Sequence, residues 1–214
     1  RKLMSASGGA GGGAAKAIAV AHTNFPYVTA YSWDVDNGFG GKFTNPATLP
    51  TNLAIGVDFS PDSSAIAVAH STSPYVSAYP WSGSGFGTKY SNPSALPTGG
   101  GNDVAFSPDG SAIAVGHISS PYVSAYPWSG SGFGTKFANP STLPANHGYS
   151  VDFSPDGSAI AVGHGQPVYI AAYPWSGSGF GTKFANPSTL PTGNGNEVSF
   201  SSDGSAIAVA HTTS

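Results

Sequence analysis

The sequence predicts an all-β protein made of repeated four-stranded antiparallel sheets, and three observations predict it. The string Ala-Ile-Ala-Val recurs at residues 17, 65, 112, 159 and 206, first 48 and then three times 47 residues apart. Residues Ala125–Pro144 and Ala172–Pro191 are identical over 20 positions, so the chain is a tandem duplication. Within each unit, short runs alternate between large apolar and small residues and are separated by Gly, Pro, Asp and Ser. No segment keeps a period of 3.6 over three turns. Units of about 40–45 residues with four strands are the pattern of propeller blades, and the expected fold is a β-propeller of about four blades plus a half blade. A β-solenoid and a string of independent sheets are the alternatives. Solenoid coils are shorter, and a lone sheet of this size has too small a core.

The elements follow in order, taking the unit around Asp109. Residues 103–107 alternate, with Val104 and Phe106 on one face. Pro108-Asp109-Gly110 is a turn: proline presets φ, aspartate caps, and glycine accepts positive φ. Residues 112–117 form the second strand. Ile113, Val115 and His117 share one face, and Ala112, Ala114 and Gly116 share the other. A face of small residues offers shallow ground for the bulky face of the next blade. Residues 122–128 are the third strand, residues 129–134 a glycine-rich hairpin loop, and residues 135–138 a short fourth strand. Residues 139–146 begin the exit to the next unit. The repeat domain covers 17–214, preceded by a Gly/Ala-rich segment, 1–16, in which residues 2–7 are a candidate diverged first strand. The chain opens on Arg1 rather than Met, which reads as a processed or trimmed chain with no signal peptide remaining.

The first two strands of a unit, Phe-Ser-Pro-Asp-Gly-Ser-Ala-Ile-Ala-Val-Gly-His at residues 106–117, resemble the opening hairpin of WD-repeat blades. The longer pattern through residue 144 is similar to a WD-like repeat of tailed-phage structural proteins. The Trp-Asp dipeptide occurs only at Trp33-Asp34, and the Gly-His pair closes the second strand instead of preceding the first. The bonding network of WD repeats is therefore not transferred to these residues. The resemblance implies a propeller and a structural role.

Composition narrows the partners. Charged residues are 8% of the chain, against roughly 25% in ordinary domains. Seven Lys plus Arg face ten Asp plus Glu, which cannot make a phosphate-tracking surface. Nucleic acid is thus not an expected partner. No apolar run approaches the length of a membrane span. The absence of cysteine removes disulfide and thiolate chemistry. The 26 aromatic residues (12 Phe, 10 Tyr and 4 Trp) argue against disorder.

Candidate site residues are weighed against plainer roles. His22, His70, His117, His164 and His211 end the second strands, where a hydrogen bond to a loop is expected rather than a metal. Asp62, Asp109, Asp156 and Asp203 belong to turns. A Ser/Asp/His combination recurs in each unit, but a nucleophilic triad needs one asymmetric cleft, and repeated copies argue against it. Asp34 and Asp36 form a weak calcium candidate that lacks the distal acidic ligand of a calcium loop. Tyr79, Trp81, Tyr126, Trp128, Tyr173 and Trp175 are candidates for stacking on glycans, set against plugs between blades. Val198, Phe200, Ile207 and Val209 would form an open assembly edge, closed within the chain, by more chain, or by another copy. The expected function is a non-catalytic structural or adhesive scaffold of a virion, appendage or cell surface, with a multivalent glycan-binding propeller as the alternative. It needs no cofactor, and its partners are itself, another protein or glycans.

Overall fold

A computed structural model describes residues 16–212. The candidate strand at residues 2–7 lies outside them. Among the described residues there are 17 strands and no helix. The first sheet holds β1 (Ala17–Ala21), β2 (Val28–Asp34) and β3 (Gly38–Lys42). Three four-stranded antiparallel sheets follow. The first comprises β4 (Ala54–Phe59), β5 (Ala65–His70), β6 (Val76–Ser82) and β7 (Gly85–Phe86). The second comprises β8 (Gly101–Phe106), β9 (Ala112–His117), β10 (Val123–Ser129) and β11 (Gly132–Phe133). The third comprises β12 (Gly148–Phe153), β13 (Ala159–His164), β14 (Ile170–Ser176) and β15 (Gly179–Phe180). The last sheet is the pair β16 (Gly195–Phe200) and β17 (Ile207–His211). This agrees with about four blades plus a half in a propeller-like array.

The fourth strand differs from its expected place. It is the two-residue segment Gly132–Phe133, inside the expected loop, while residues 135–138 are not a strand. Gly132 has φ +101, which only glycine adopts without strain. The third strand therefore turns back over two residues. Phe137 keeps a single bond, its N–H donating to Ala125 O at 2.9 Å.

The blades stack as the alternation requires. Ala65, Ala67, Ala69, Val76 and Ala78 form the small face of one blade. They pack against Val104, Phe106, Ile113, Val115, Tyr126 and Trp128 of the next. The neighbouring interfaces repeat this arrangement, with Trp81 and Trp175 in the place of Trp128. Trp128 meets Tyr90, Phe106 and Phe133 edge-on, with centroids 5.2, 5.2 and 5.1 Å away. Tyr126 is fully buried, and its hydroxyl donates to Ala95 O at 2.9 Å. Burial raises its pKa.

The inner strands β4, β8, β12 and β16 pack side by side in sequence but belong to separate sheets. Their edge N–H groups would be orphaned without other acceptors. Carboxylates supply them. Asp58 Oδ2 accepts from Phe106 N–H at 2.8 Å, and Asp152 Oδ2 from Phe200 N–H at 2.9 Å. Asp103 Oδ2 accepts from Val151 N–H and Ser150 Oγ–H, both at 3.0 Å. Replacing Asp103 with Asn puts an N–H₂ group or a weaker acceptor against these donors. Asp103→Asn is expected to cost about 1–3 kcal/mol, read as a lower urea midpoint at pH 7.

Candidate functional site

Each inner strand begins with the same irregularity. The register against the second strand slips between Ala54 and Gly56, Gly101 and Asp103, Gly148 and Ser150, and Gly195 and Glu197. Such slips are β-bulges, which re-aim one side chain out of the ladder. The displaced residues are Ile55, Asn102, Tyr149 and Asn196. They come together with Thr23, Ala54, Gly56, Asp103 and Glu197 around a pocket of about 170 Å³. At ~30 Å³ per water that is the space of five or six waters, the scale of a small sugar. The pocket lies at the end of the inner strands where the loops between blades cross.

The chemistry of the lining is mixed and asymmetric. The corresponding positions of the four units read Ile55, Asn102, Tyr149, Asn196, followed by Gly56, Asp103, Ser150, Glu197. The units differ here, as they also do at residues 118–121 and 145–147 and their counterparts, so the four strands bring unlike side chains to one pocket. Glu197 is half-buried, Asn196 exposed and Asn102 half-buried. Asn102 Nδ2 donates to Gly148 O at 2.9 Å, which orients its amide and leaves it a second N–H. Asp103 is 7% exposed, and its Oδ1 also accepts from Val104 N–H at 2.9 Å, so its carboxylate serves the joint between blades. The Tyr149 ring lies beside His147, with centroids 6.0 Å apart. A Cβ at Gly165 would come 3.1 Å from the Tyr149 hydroxyl, so the glycine makes room for the phenol. Among the described residues, no Lys or Arg lines the pocket.

The residues singled out from the sequence lie elsewhere. Tyr79, Tyr126 and Tyr173 are fully buried, and Trp81, Trp128 and Trp175 are buried with them in the layers between blades. Their ring faces are taken up by Phe, Tyr and Ala neighbours, which corrects the reading of them as glycan-stacking residues. Asp34 Oδ1 accepts from the N–H groups of Asp36 and Asn37 at 3.0 and 2.8 Å and from Asn37 Nδ2 at 2.8 Å. That is a capped hairpin turn. Among the described residues, no three His, Cys, Asp or Glu converge as a metal site requires.

The repeated Ser/Asp/His set does not assemble. Ser107 Oγ donates to Asp109 Oδ1 at 2.6 Å and accepts from Ala112 N–H at 2.9 Å. The bond from Ser107 and those from Ser111 hold the Asp109 carboxyl below its usual range. The equivalent bonds from Ser154 and Ser158 lower Asp156 to about 2. His117 sits at the far end of β9, roughly 17 Å along the strand. It is fully buried, with Nε2 3.0 Å from Ser124 Oγ. His70 makes the expected loop bond, its Nδ1 lying 2.8 Å from Thr72 O. Burial lowers His70, His117 and His164 to about 4. At pH 7 all three imidazoles are neutral.

Val198, Phe200, Ile207 and Val209 belong to the two-stranded last sheet. Val198 is buried and Phe200 and Val209 are partly so, against Ala161 and Ile170 of the preceding blade. Ile207 is 39% exposed. No helix among the described residues is long and apolar enough to cross a membrane.

No protein-family model matches the sequence, and no curated protein does either. Among solved structures, the chain is similar to a Bacteroides uniformis protein that carries the provisional name 6-phosphogluconolactonase, with a TM-score of 0.66 and 16% identity. The match covers 94% of this chain and 62% of that one, so the chain spans less than two thirds of the neighbour's length. The likeness is one of fold. The expectation of a non-catalytic structural or adhesive scaffold is corrected on this finding: a protein of similar fold bears the name of an enzyme. The bulged positions read Ile, Asn, Tyr and Asn, and together they line an asymmetric cleft.

Proposed function

We propose that the bulge-lined pocket binds a small, uncharged, hydroxyl-rich molecule and hydrolyses an internal ester, the class of reaction named for the structural neighbour. The observation that carries this reading is the gathering of Asn102, Tyr149, Asn196 and Glu197 on one pocket. A lactone needs a base to activate water and donors for the oxygen that gains charge. In this reading the Glu197 carboxylate takes a proton from water, and the hydroxide adds to the lactone carbonyl. The second N–H of Asn102 and the amide of Asn196 donate to the resulting oxyanion. The ring C–O bond then breaks, and the leaving alkoxide takes the proton back from Glu197, giving the hydroxy acid. Tyr149 and Thr23 supply hydroxyls for the substrate's own hydroxyl groups.

The lining also restricts the substrate. A phosphate group is normally held by Arg, Lys or a helix N-terminus, and none is among the described residues that line this pocket. An unphosphorylated sugar lactone fits its chemistry better than a phosphorylated one.

The test is hydrolysis of glucono-δ-lactone by the 214-residue chain, followed by acid release with the spontaneous rate subtracted. The chain is expected to exceed the buffer rate. Glu197→Gln is expected to lower kcat by at least about 100-fold with little change in urea midpoint. A 6-phosphorylated lactone is expected to show no lower KM. A wild-type rate equal to buffer, or an unchanged rate in Glu197→Gln, defeats the reading. The edge at Val198, Phe200, Ile207 and Val209 remains, beside this chemistry, the place where further blade strands would join.

A further inference from the structure

We propose that the open end of the blade array seats the β2–β3 hairpin of a second copy of this chain, which completes the last blade. The inference does not depend on the reaction proposed above. A groove of about 500 Å³ lies between Phe184, Pro187, Thr189 and Leu190 on one side and Ile207 and Val209 on the other. In the three complete interfaces, the equivalent slot holds a third strand bearing Tyr and Trp. There Tyr79, Tyr126 and Tyr173 donate to Thr48 O, Ala95 O and Thr142 O at 2.8, 2.9 and 2.9 Å. Thr189 is the next carbonyl at the same interval of 47. Phe43, Tyr90 and Phe137 pack edge-on against Trp81, Trp128 and Trp175 at 5.0–5.3 Å. Their counterpart Phe184 is 49% exposed. The groove is therefore shaped for a strand of the type Tyr-x-Trp.

The other end of the chain carries such a strand. β2 reads Val-Thr-Ala-Tyr-Ser-Trp-Asp. Tyr31 and Trp33 are half-buried and Phe39 is 63% exposed, on the face of the first described sheet that no described blade covers. In its own sheet β2 pairs with β1, Ala21 opposite Val28. Residues 17–23 and 206–212 are both Ala-Ile-Ala-Val-Ala-His-Thr. β17 of one copy can thus replace β1 of the next without changing one side chain at the β2 interface. An exchange of identical elements costs little, because each pairing that breaks is replaced by an identical one. Tyr31 would then donate to Thr189 O, and Trp33 would meet Phe184 and Phe200. Each copy holds three four-stranded sheets and would gain one composite sheet per joint. Two copies joined at both ends make eight blades, within the range of roughly 4–8 in closed propellers.

The chain has no cysteine, so engineered cross-links report cleanly. Ala210 is the counterpart of Ala21, and the Ala21–Val28 pair adjoins the pair in which His22 N–H donates to Tyr27 O at 2.8 Å. It is therefore a close, non-hydrogen-bonded pair, with Cα atoms about 4.5 Å apart, within disulfide reach. Ala210→Cys and Val28→Cys chains, mixed and oxidised, are expected to give a covalent species of twice the 21.4 kDa chain mass. Neither variant alone should do so. Adding Trp33→Ala to the Val28→Cys chain is expected to reduce the cross-linked yield at least about tenfold. Light scattering of the unmodified chain should show mass rising with concentration. A monomer at every concentration overturns the proposal. So does self-association without the 210–28 cross-link, or a double variant that closes its disulfide at monomer mass.

Discussion

Trp128→Ala is expected to lower the unfolding free energy by about 3–5 kcal/mol, while Trp33→Ala costs less than about 1 kcal/mol in dilute protein. The two tryptophans occupy the same strand position two repeat units apart, so local propensity predicts equal effects. Packing separates them. Trp128 is 8% exposed and is gripped by three edge-on rings from two blades. Its removal leaves a cavity between sheets that cannot collapse without pulling Phe106 and Tyr90 inward. Among the described residues, Trp33 has one ring partner, Phe39, at 5.2 Å, and no blade covers its other side. Urea unfolding at pH 7, followed by circular dichroism, measures both. Equal costs would mean that the layers between blades are not the core.

Acid is expected to unfold the protein in a window set by its buried histidines. Burial lowers His70, His117 and His164 to about 4 from an ordinary 6.5. Lys89, Lys136 and Lys183 respectively add smaller effects in the same direction, partly offset by backbone hydrogen bonds that favour the charged ring. Between these pH values the unfolded chain binds protons that the folded chain does not. Stability is therefore complete above about 6.5, falls as the pH drops, and stops falling from this cause below about 4. Each imidazole contributes a slope of at most ~1.4 kcal/mol per pH unit, or about 2 kcal/mol at pH 5. The turn aspartates Asp109, Asp156 and Asp203 are held below 3.8. They weaken the fold only at lower pH, which keeps the two windows apart. Urea midpoints at pH 7, 6 and 5 should fall steadily. His117→Gln should flatten the slope by about a third. A constant midpoint from pH 7 to 4.5 would show that these rings do not stay neutral inside the fold.

Most of the fold was legible because the repeat carries it. The second strands begin where alternation placed them, at Ala65, Ala112 and Ala159. Their small faces meet the large faces of the next blade as the side-chain sizes required. The fourth strand was misplaced by a few residues because Gly132 reads equally well as loop or turn until its φ is known. The site was hidden for a different reason. Residues 55, 102, 149 and 196 sit where one unit leads into the next, and attention to what the units share passes over them. Differences between units do not single them out either, because residues 118–121 and 145–147 also diverge and Asn102 and Asn196 are alike.

Strand positions, their amphipathic faces and the repeat follow from residue type and spacing within a few positions. Which aromatic residues are buried, and which side chains share a pocket, depends on how the blades pack. Tyr126 and Tyr31 have nearly the same neighbours in sequence, yet one is buried between two blades and the other is half-buried on a face that no described blade covers. The four bulges act likewise. Each displaces one residue within its own strand, but they make a pocket only because the inner strands pack side by side, held by carboxylates that reach from one blade to the next.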